Sequence, residues 1–164
     1  MPFDMNPLEN AVRQLAAGLA VANAAPDNEL LRDGVIQRFE YTYELSHKTL
    51  RRYLAATEPS PEIPEDLSFP NLIRLGSERG LLDGGWDAWR EFRKAGGTTS
   101  HAYDGVRAAE VFIVIPGFLA EAEGSAGRHE EVTSPVTAEI DLHPTHRGIV
   151  EDILRLHGPR PCRV

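Results

Sequence analysis

A single cysteine, Cys162, is the whole thiol content of the 164-residue chain. One thiol cannot staple a monomer and offers no metal framework, so a reducing compartment is the default. Long apolar runs are also missing. The longest, around Val111 to Ile115, is far too short to cross a bilayer. Met1-Pro2-Phe3-Asp4 lacks the basic-then-apolar order of a secretory signal. Together these absences read as a soluble, cytoplasmic protein with no membrane partner. Basic residues are in deficit, 17 Lys and Arg against 25 Asp and Glu, for a formal net charge of −8. Coating nucleic acid by bulk electrostatics needs clustered Lys and Arg, so that class is excluded. A local basic face could still hold a nucleotide or an RNA end.

Several chemical signatures are absent. Gly84-Gly85 and Gly96-Gly97 lack the spacing and the following Lys-Ser/Thr of a phosphate loop. His143-Pro144-Thr145-His146, with His129 before it, places two histidines three apart, but no carboxylate–histidine pattern of a di-metal bundle accompanies them. Neither a metal nor a cofactor is expected. There is no internal repeat, and nothing before Gly124 reads as a strand.

Helical periodicity is what the chain does have. Leu8, Val12, Leu15 and Leu19 recur at spacings of four and three, predicting an amphipathic helix over about Asn6 to Ala24, broken by Pro26 and Asn28. A longer helix follows from about Asn28 to Ala56. Its apolar stripe is Leu31, Val35, Phe39, Tyr43, Leu50 and Leu54, and a polar line runs Asp33, Gln37, Glu40, Glu44, Lys48, Arg51. Glu58 to Pro64 reads as loop. Ser68 is a candidate N-cap for a short helix with Leu72, Ile73 and Leu75 inward and Gly80 as the stop. Trp86 to Ala95 returns to helix, with Trp86, Trp89 and Phe92 or Arg93 on one side, and Gly96-Gly97 breaks or loosens it. The last long helix is expected from about Asp104 to Glu123. Val106, Ala109, Phe112 or Ile113, and Leu119 should face inward, and Pro116 should kink the helix or end its first half. Helices joined by short loops favour an all-α, antiparallel up-and-down four-helix bundle. The bundle domain is expected over residues 1–124, followed by a linker over 125–140 and a C-terminal extension over 141–164.

Two stretches carry candidate chemistry. In Thr99-Ser100-His101-Ala102-Tyr103-Asp104, His101 can move a proton near neutral pH beside hydroxyl groups. The plainer reading has Ser100 or Thr99 capping the last helix and His101 in a hydrogen-bonded niche. On the second helix, Glu40 and Glu44 stand one turn apart, with Gln37 before and Lys48 after. These could line a binding cleft together with Ser100 and Asp104. They could equally be a solvated face with an ordinary Glu44–Lys48 pair, worth roughly 0.2–0.5 kcal/mol.

The run Arg32-Asp33-Gly34-Val35-Ile36-Gln37-Arg38-Phe39-Glu40-Tyr41-Thr42-Tyr43-Glu44-Leu45, then Lys48-Thr49-Leu50, together with Trp89 and Thr99 to Asp104, resembles the nucleotidyltransferase substrate-binding protein family. That family sits within the HEPN group. The resemblance implies a dimeric bundle that pairs with a minimal nucleotidyltransferase encoded nearby, in a toxin–antitoxin type of system. In such pairs the toxin is an RNase with an arginine, four intervening residues, a histidine, one residue and a tyrosine. The partner silences it by attaching adenylate to that tyrosine. On this chain the histidine is His101 and the tyrosine, the implied modification site, is Tyr103. The arginine position falls on Gly96, where family members carry Arg-Asn in place of Gly96-Gly97. An arginine there would stabilise charge on a phosphoryl group. Arg93, one turn earlier, is the available substitute. The resemblance with this departure implies a binding subunit of the nucleotidyltransferase. The alternative is a metal-independent RNase using His101.

The tail has a second resemblance. Ile140-Asp141-Leu142, Ile149 to Leu154 and Cys162-Arg163-Val164 look like the opening of a minimal nucleotidyltransferase, ahead of its Gly-Ser motif and paired aspartates. It implies that these residues alone do not transfer nucleotides, because the metal-binding carboxylates are not among them.

Overall fold

Helix α1 (Asn6–Ala24) lies where the spacing of Leu8, Val12, Leu15 and Leu19 predicts, and all four side chains are buried. The computed structural model describes residues 4–60, 62–99 and 104–133. A short turn through Pro26 and Asp27 reverses the chain into α2 (Glu29–Thr57), and the Asn28 side chain caps it by accepting from the Leu31 backbone N–H at 3.2 Å. So short a connection makes α1 and α2 antiparallel neighbours. They are tied at mid-length, where Arg38 donates to the Gln14 carbonyl at 2.5 Å and the Tyr41 hydroxyl donates to Gln14 Oε1 at 2.7 Å.

A single turn, α3 (Glu62–Asp66), follows α2. The Arg51 guanidinium holds this turn and the residue just after it by donating to the carbonyls of Pro64, Glu65 and Leu67. Helix α4 (Phe69–Glu78) starts at Ser68 and buries Leu72 and Ile73, as their spacing predicts. It stops at Gly80, whose φ of 70° suits glycine. Leu81 N–H bonds Gly76 O and Gly80 N–H bonds Ser77 O, so the orphan carbonyls of the last turn are satisfied in a Schellman arrangement.

Helices α5 (Trp86–Thr98) and α6 (Gly105–Thr133) complete the fold. With α1 and α2 they make an all-α four-helix bundle, and α4 packs along α2 and α5. Among the described residues there is no strand. The core is aromatic at its centre. Phe118 of α6 takes Phe39, Trp89 and Phe92 edge-on, at ring separations of 5.1, 6.3 and 5.4 Å. Such geometry adds to the apolar burial of each ring.

Four local expectations change, the first being that Glu62 to Pro64, read as loop, begin the helical turn α3. Gly96-Gly97 does not break α5, which runs on to Thr98. The reason is packing, since Gly96 lies against Tyr43 of α2 and its neighbour Ala95 is buried, and the tertiary contact outweighs the weak helix propensity of glycine. The inward face of α6 is Ala108, Val111, Ile115, Phe118 and Ala122, and Val106, Ala109 and Ile113 are exposed. This helix carries apolar residues on opposite sides, so periodicity alone could not choose the core side. Finally, α6 passes through Pro116 and continues beyond Gly124 to Thr133. Pro116 sits on the exposed side. At Gly124 a Cβ would meet Asp83 Oδ2 at 2.6 Å, so glycine is what lets the Asp83–Arg128 ion pair close over the helix. Residues 125–133, expected in the linker, are therefore helical. The described helices all belong to one unit, Met1–Ser134. The expected extension over 141–164 lies outside the described residues.

Candidate functional site

A cleft of about 350 Å³ opens where α2, α4 and α5 meet. Helix α2 lines it with Glu40, Tyr43, Glu44 and His47, α4 with Phe69, and α5 with Arg93, Gly96 and Gly97. The α2 residues follow from the spacing 40, 43, 44, 47, which keeps all four on one side of a helix. Across the cleft, Gly96 lies directly on the Tyr43 ring. One turn earlier in α5, Arg93 places its guanidinium carbon 4.9 Å from the centroid of Phe69. One turn later in α2, His47 meets the same Phe69 ring edge-on at 5.4 Å. The two helices thus run in opposite senses along the cleft.

The site's electrostatics follow from partial burial. Tyr43 is only 7% exposed. Burial pushes its phenol up to about 12, with nearby Glu44 adding to the shift and Arg93 opposing it. Its hydroxyl makes no hydrogen bond among the described residues. His47 is half-buried, and removal from water lowers its pKa below the ordinary 6.5, against the pull of Glu44, whose Oε1 lies 3.6 Å from Nε2. Glu44 also takes the Lys48 ammonium at 2.9 Å, chiefly through which its carboxyl is held below the usual range. Arg93 makes no ion pair with a carboxylate among the described residues. The cleft therefore combines an uncommitted guanidinium, a neutral imidazole, an unpartnered phenol and two carboxylates.

Of the residues singled out in the sequence, Glu40, Glu44 and Arg93 come together here. Lys48 reaches the cleft only through Glu44. Gln37 lies exposed on the same helix but does not line the cavity. Asp104 sits at the start of α6, where Oδ1 accepts from the Val106 N–H at 3.0 Å and the Asp104 carbonyl accepts from Ala108 N–H at 2.9 Å. Thr99 turns back instead, its hydroxyl donating to Gly96 O at 2.9 Å. Ser100, His101 and Tyr103 lie outside the described residues, as do His143 and His146. Among the described residues no group of three or more His, Cys, Asp or Glu could hold a metal, and no helix is long and apolar enough to cross a membrane.

Sequence reading missed His47, Phe69 and the cleft-facing side of Tyr43. His47 is three residues after Glu44 and seven after Glu40, so extending the polar line by one turn finds it. Tyr43 belongs to the apolar stripe and the cleft at once, which no periodicity separates. Phe69 comes from another helix and has no local signal.

The model of the family described as nucleotidyltransferase substrate binding protein like matches residues 3–130. The chain belongs to this family. A curated relative, the probable ribonuclease HepT of Haemophilus influenzae, is 34% identical over 89 residues, covering 54% of this chain. The match spans 60% of that relative's length. Among solved structures, a substrate-binding domain of a nucleotidyltransferase from Haemophilus influenzae superposes with a TM-score of 0.72 at 25% identity, over 77% of this chain and 99% of that one. A protein of Thermus thermophilus superposes with a TM-score of 0.60 at 30% identity, over 74% of this chain and 98% of that one. The α2–α4–α5 cleft is one of several concavities of the described bundle, and it is the one where Glu40, Glu44, His47 and Arg93 meet.

Proposed function

We propose that this chain is the substrate-binding subunit of a minimal nucleotidyltransferase encoded beside it, and that the α2–α4–α5 cleft is the binding surface it brings. The observation that carries this reading is the convergence of Glu40, Glu44 and Arg93 on one cavity within a bundle of this family. The substrate-binding role named for the Haemophilus structure supports it. His101 and Tyr103 belong to the same reading, His101 as a polar group of the site and Tyr103 as the acceptor of a nucleotidyl group. The chain would form one half of a two-gene toxin–antitoxin system, and the nucleotidyltransferase the other. Self-association would use the outer side of α6, where Val106 and Ile113 are 70% and 77% exposed. Co-expression with the neighbouring nucleotidyltransferase tests the partnership. A stable complex at micromolar concentration is expected, and separate elution of the two chains would count against it. Mass spectrometry after incubation with the partner and ATP tests Tyr103, where an unmodified tyrosine beside an active partner removes the acceptor role.

A second reading is a metal-independent ribonuclease using His101. The name of the curated relative favours it. Gly96, at the position where the resemblance expects arginine, weighs against it. Expressing the chain alone and following RNA integrity decides between the two, with His101→Ala as the control. Cleavage that persists in that variant excludes His101 as the catalytic group.

A further inference from the structure

The two ends of the cleft are chemically unlike. At one end the Arg93 guanidinium rests 4.9 Å from the Phe69 centroid and has no carboxylate partner among the described residues. This cation–π contact orients the group without using its five donors. His47 flanks the same ring. At the other end is Glu40, seven residues before His47 on the same helical face, or about 10 Å along the axis. Glu40 is exposed and has no ion pair or hydrogen bond among the described residues. Between Glu40 and His47 on α2, the largely buried Tyr43 also lines the cleft, and its hydroxyl has no hydrogen-bond partner among the described residues. Opposite it Gly97 presents bare backbone, where a Cβ would meet nothing within 4 Å. The remaining carboxylate, Glu44, is already matched by Lys48 at 2.9 Å and does not add a free charge.

A ligand that satisfies this arrangement carries an anion at one end, a hydrogen-bond donor at the other and a flat or hydroxylated middle. We propose that the cleft takes a nucleoside monophosphate whose base bears an exocyclic amine, with the phosphate on Arg93, the amine on Glu40 and the sugar beside Tyr43. Inorganic phosphate alone would leave Glu40 without a role. A purely apolar ligand would leave Arg93 and Tyr43 without acceptors, which is costly for the buried phenol. A volume of about 350 Å³ lies at the small end of ligand pockets and suits one nucleotide rather than an oligonucleotide strand. The bare Gly97 backbone lets a planar group approach the helix closely.

This inference rests on the reading of the cleft as the binding surface, and its test separates the two. Calorimetric titration of the full chain with adenosine 5′-monophosphate should give saturable binding. Adenosine, lacking the phosphate, and inosine 5′-monophosphate, lacking the amine, should each bind about tenfold more weakly or worse. Inorganic phosphate should compete only at much higher concentration. Arg93→Met should erase the preference for the monophosphate over adenosine, and Glu40→Gln should erase the preference for the adenine over the inosine nucleotide. Both positions are exposed, so both variants should keep the wild-type helical spectrum and unfolding midpoint. Absence of saturable binding up to millimolar nucleotide, or preferences that survive both substitutions, overturns the proposal. Complex formation with the nucleotidyltransferase is measured without nucleotide. If the complex forms and the nucleotide does not bind, the ligand assignment fails while the partner reading stands. If the nucleotide binds with these preferences and no complex forms, the partner reading fails instead.

Discussion

Gly96 and Tyr43 are in backbone-to-ring contact, so close that a Cβ at position 96 would stand 3.0 Å from Tyr43 Cδ1 and 3.1 Å from Cε1. The ring cannot withdraw easily, because Phe39, His47, Phe69, Trp89 and Phe118 surround it. Glycine where the family resemblance expects arginine is thus matched to this packing. Gly96→Arg should therefore not behave as a simple restoration of an RNase residue. It should destabilise the bundle by about 1–3 kcal/mol through overpacking. Gly97 is the internal control, since its Cβ direction is open. Gly97→Ala should stabilise by up to about 1 kcal/mol through helix propensity, and Gly96→Ala should fall below it by about 1 kcal/mol or more. Equal urea midpoints for the two alanine variants would contradict the contact.

The same pair marks the limit of what could be read in advance. The helices were legible because α1, α2 and α4 carry their apolar residues on one side, bounded by Asn28, Ser68 and Gly80. The Glu40–Glu44 half of the cleft was legible for the same reason. In the facing half, Arg93 and Gly96 were singled out only through the family resemblance, and their place opposite α2 was not legible. Arg93, Gly96 and Phe69 reach Tyr43 and His47 only through packing between helices far apart in sequence. Gly96-Gly97 read as a break because helix propensity is local, whereas the contact that keeps α5 helical is tertiary. In α6, apolar residues on opposite sides left the phase of burial undetermined until α2 and α5 were in place.

Glu121 is a buried carboxylate that organises the turn leading into α5. Oε1 accepts from the Asp83 N–H at 3.0 Å and from the Trp89 indole at 3.3 Å, and Oε2 accepts from the Gly84 N–H at 2.8 Å. Replacing it with leucine leaves three donors without acceptors and should cost about 2–4 kcal/mol of unfolding free energy. Glu121→Gln should cost less, because one oxygen remains while the new amide opposes an N–H. Chemical denaturation should rank wild type above Gln above Leu. A leucine variant as stable as wild type would show that the carboxylate is dispensable.

Stability should fall in acid partly through His47. Its folded pKa is depressed by burial below the unfolded value of 6.5, so the unfolded chain binds the proton more readily. The sign follows directly: this contribution is fully present above about pH 6.5 and is lost as pH falls through and below it. Glu44 opposes the effect, while Lys48 and Arg51 reinforce it. Unfolding free energies measured from pH 8 to pH 5 should converge between wild type and His47→Gln as the solution becomes acidic. Parallel curves would mean that His47 titrates alike in the folded and unfolded chain.

The outer side of α6 provides the most direct test of self-association. Val106 and Ile113 are exposed at 70% and 77%, and Ala109 and Ala120 extend the same apolar line on a helix whose opposite side already fills the core. An apolar stripe that long gains by being covered, and each exposed side chain gives up contact with water when it is. Changing Val106 and Ile113 together to glutamate places like charges on both sides of any symmetric contact through this face. If this face is the contact, sedimentation should report a dimer for wild type and a monomer for the variant. The unfolding free energy of the monomer should stay within about 0.5 kcal/mol per substitution, because neither side chain supports the core. A wild-type chain that sediments as a monomer at tens of micromolar, or a variant that dimerises as wild type does, would remove α6 as the contact surface.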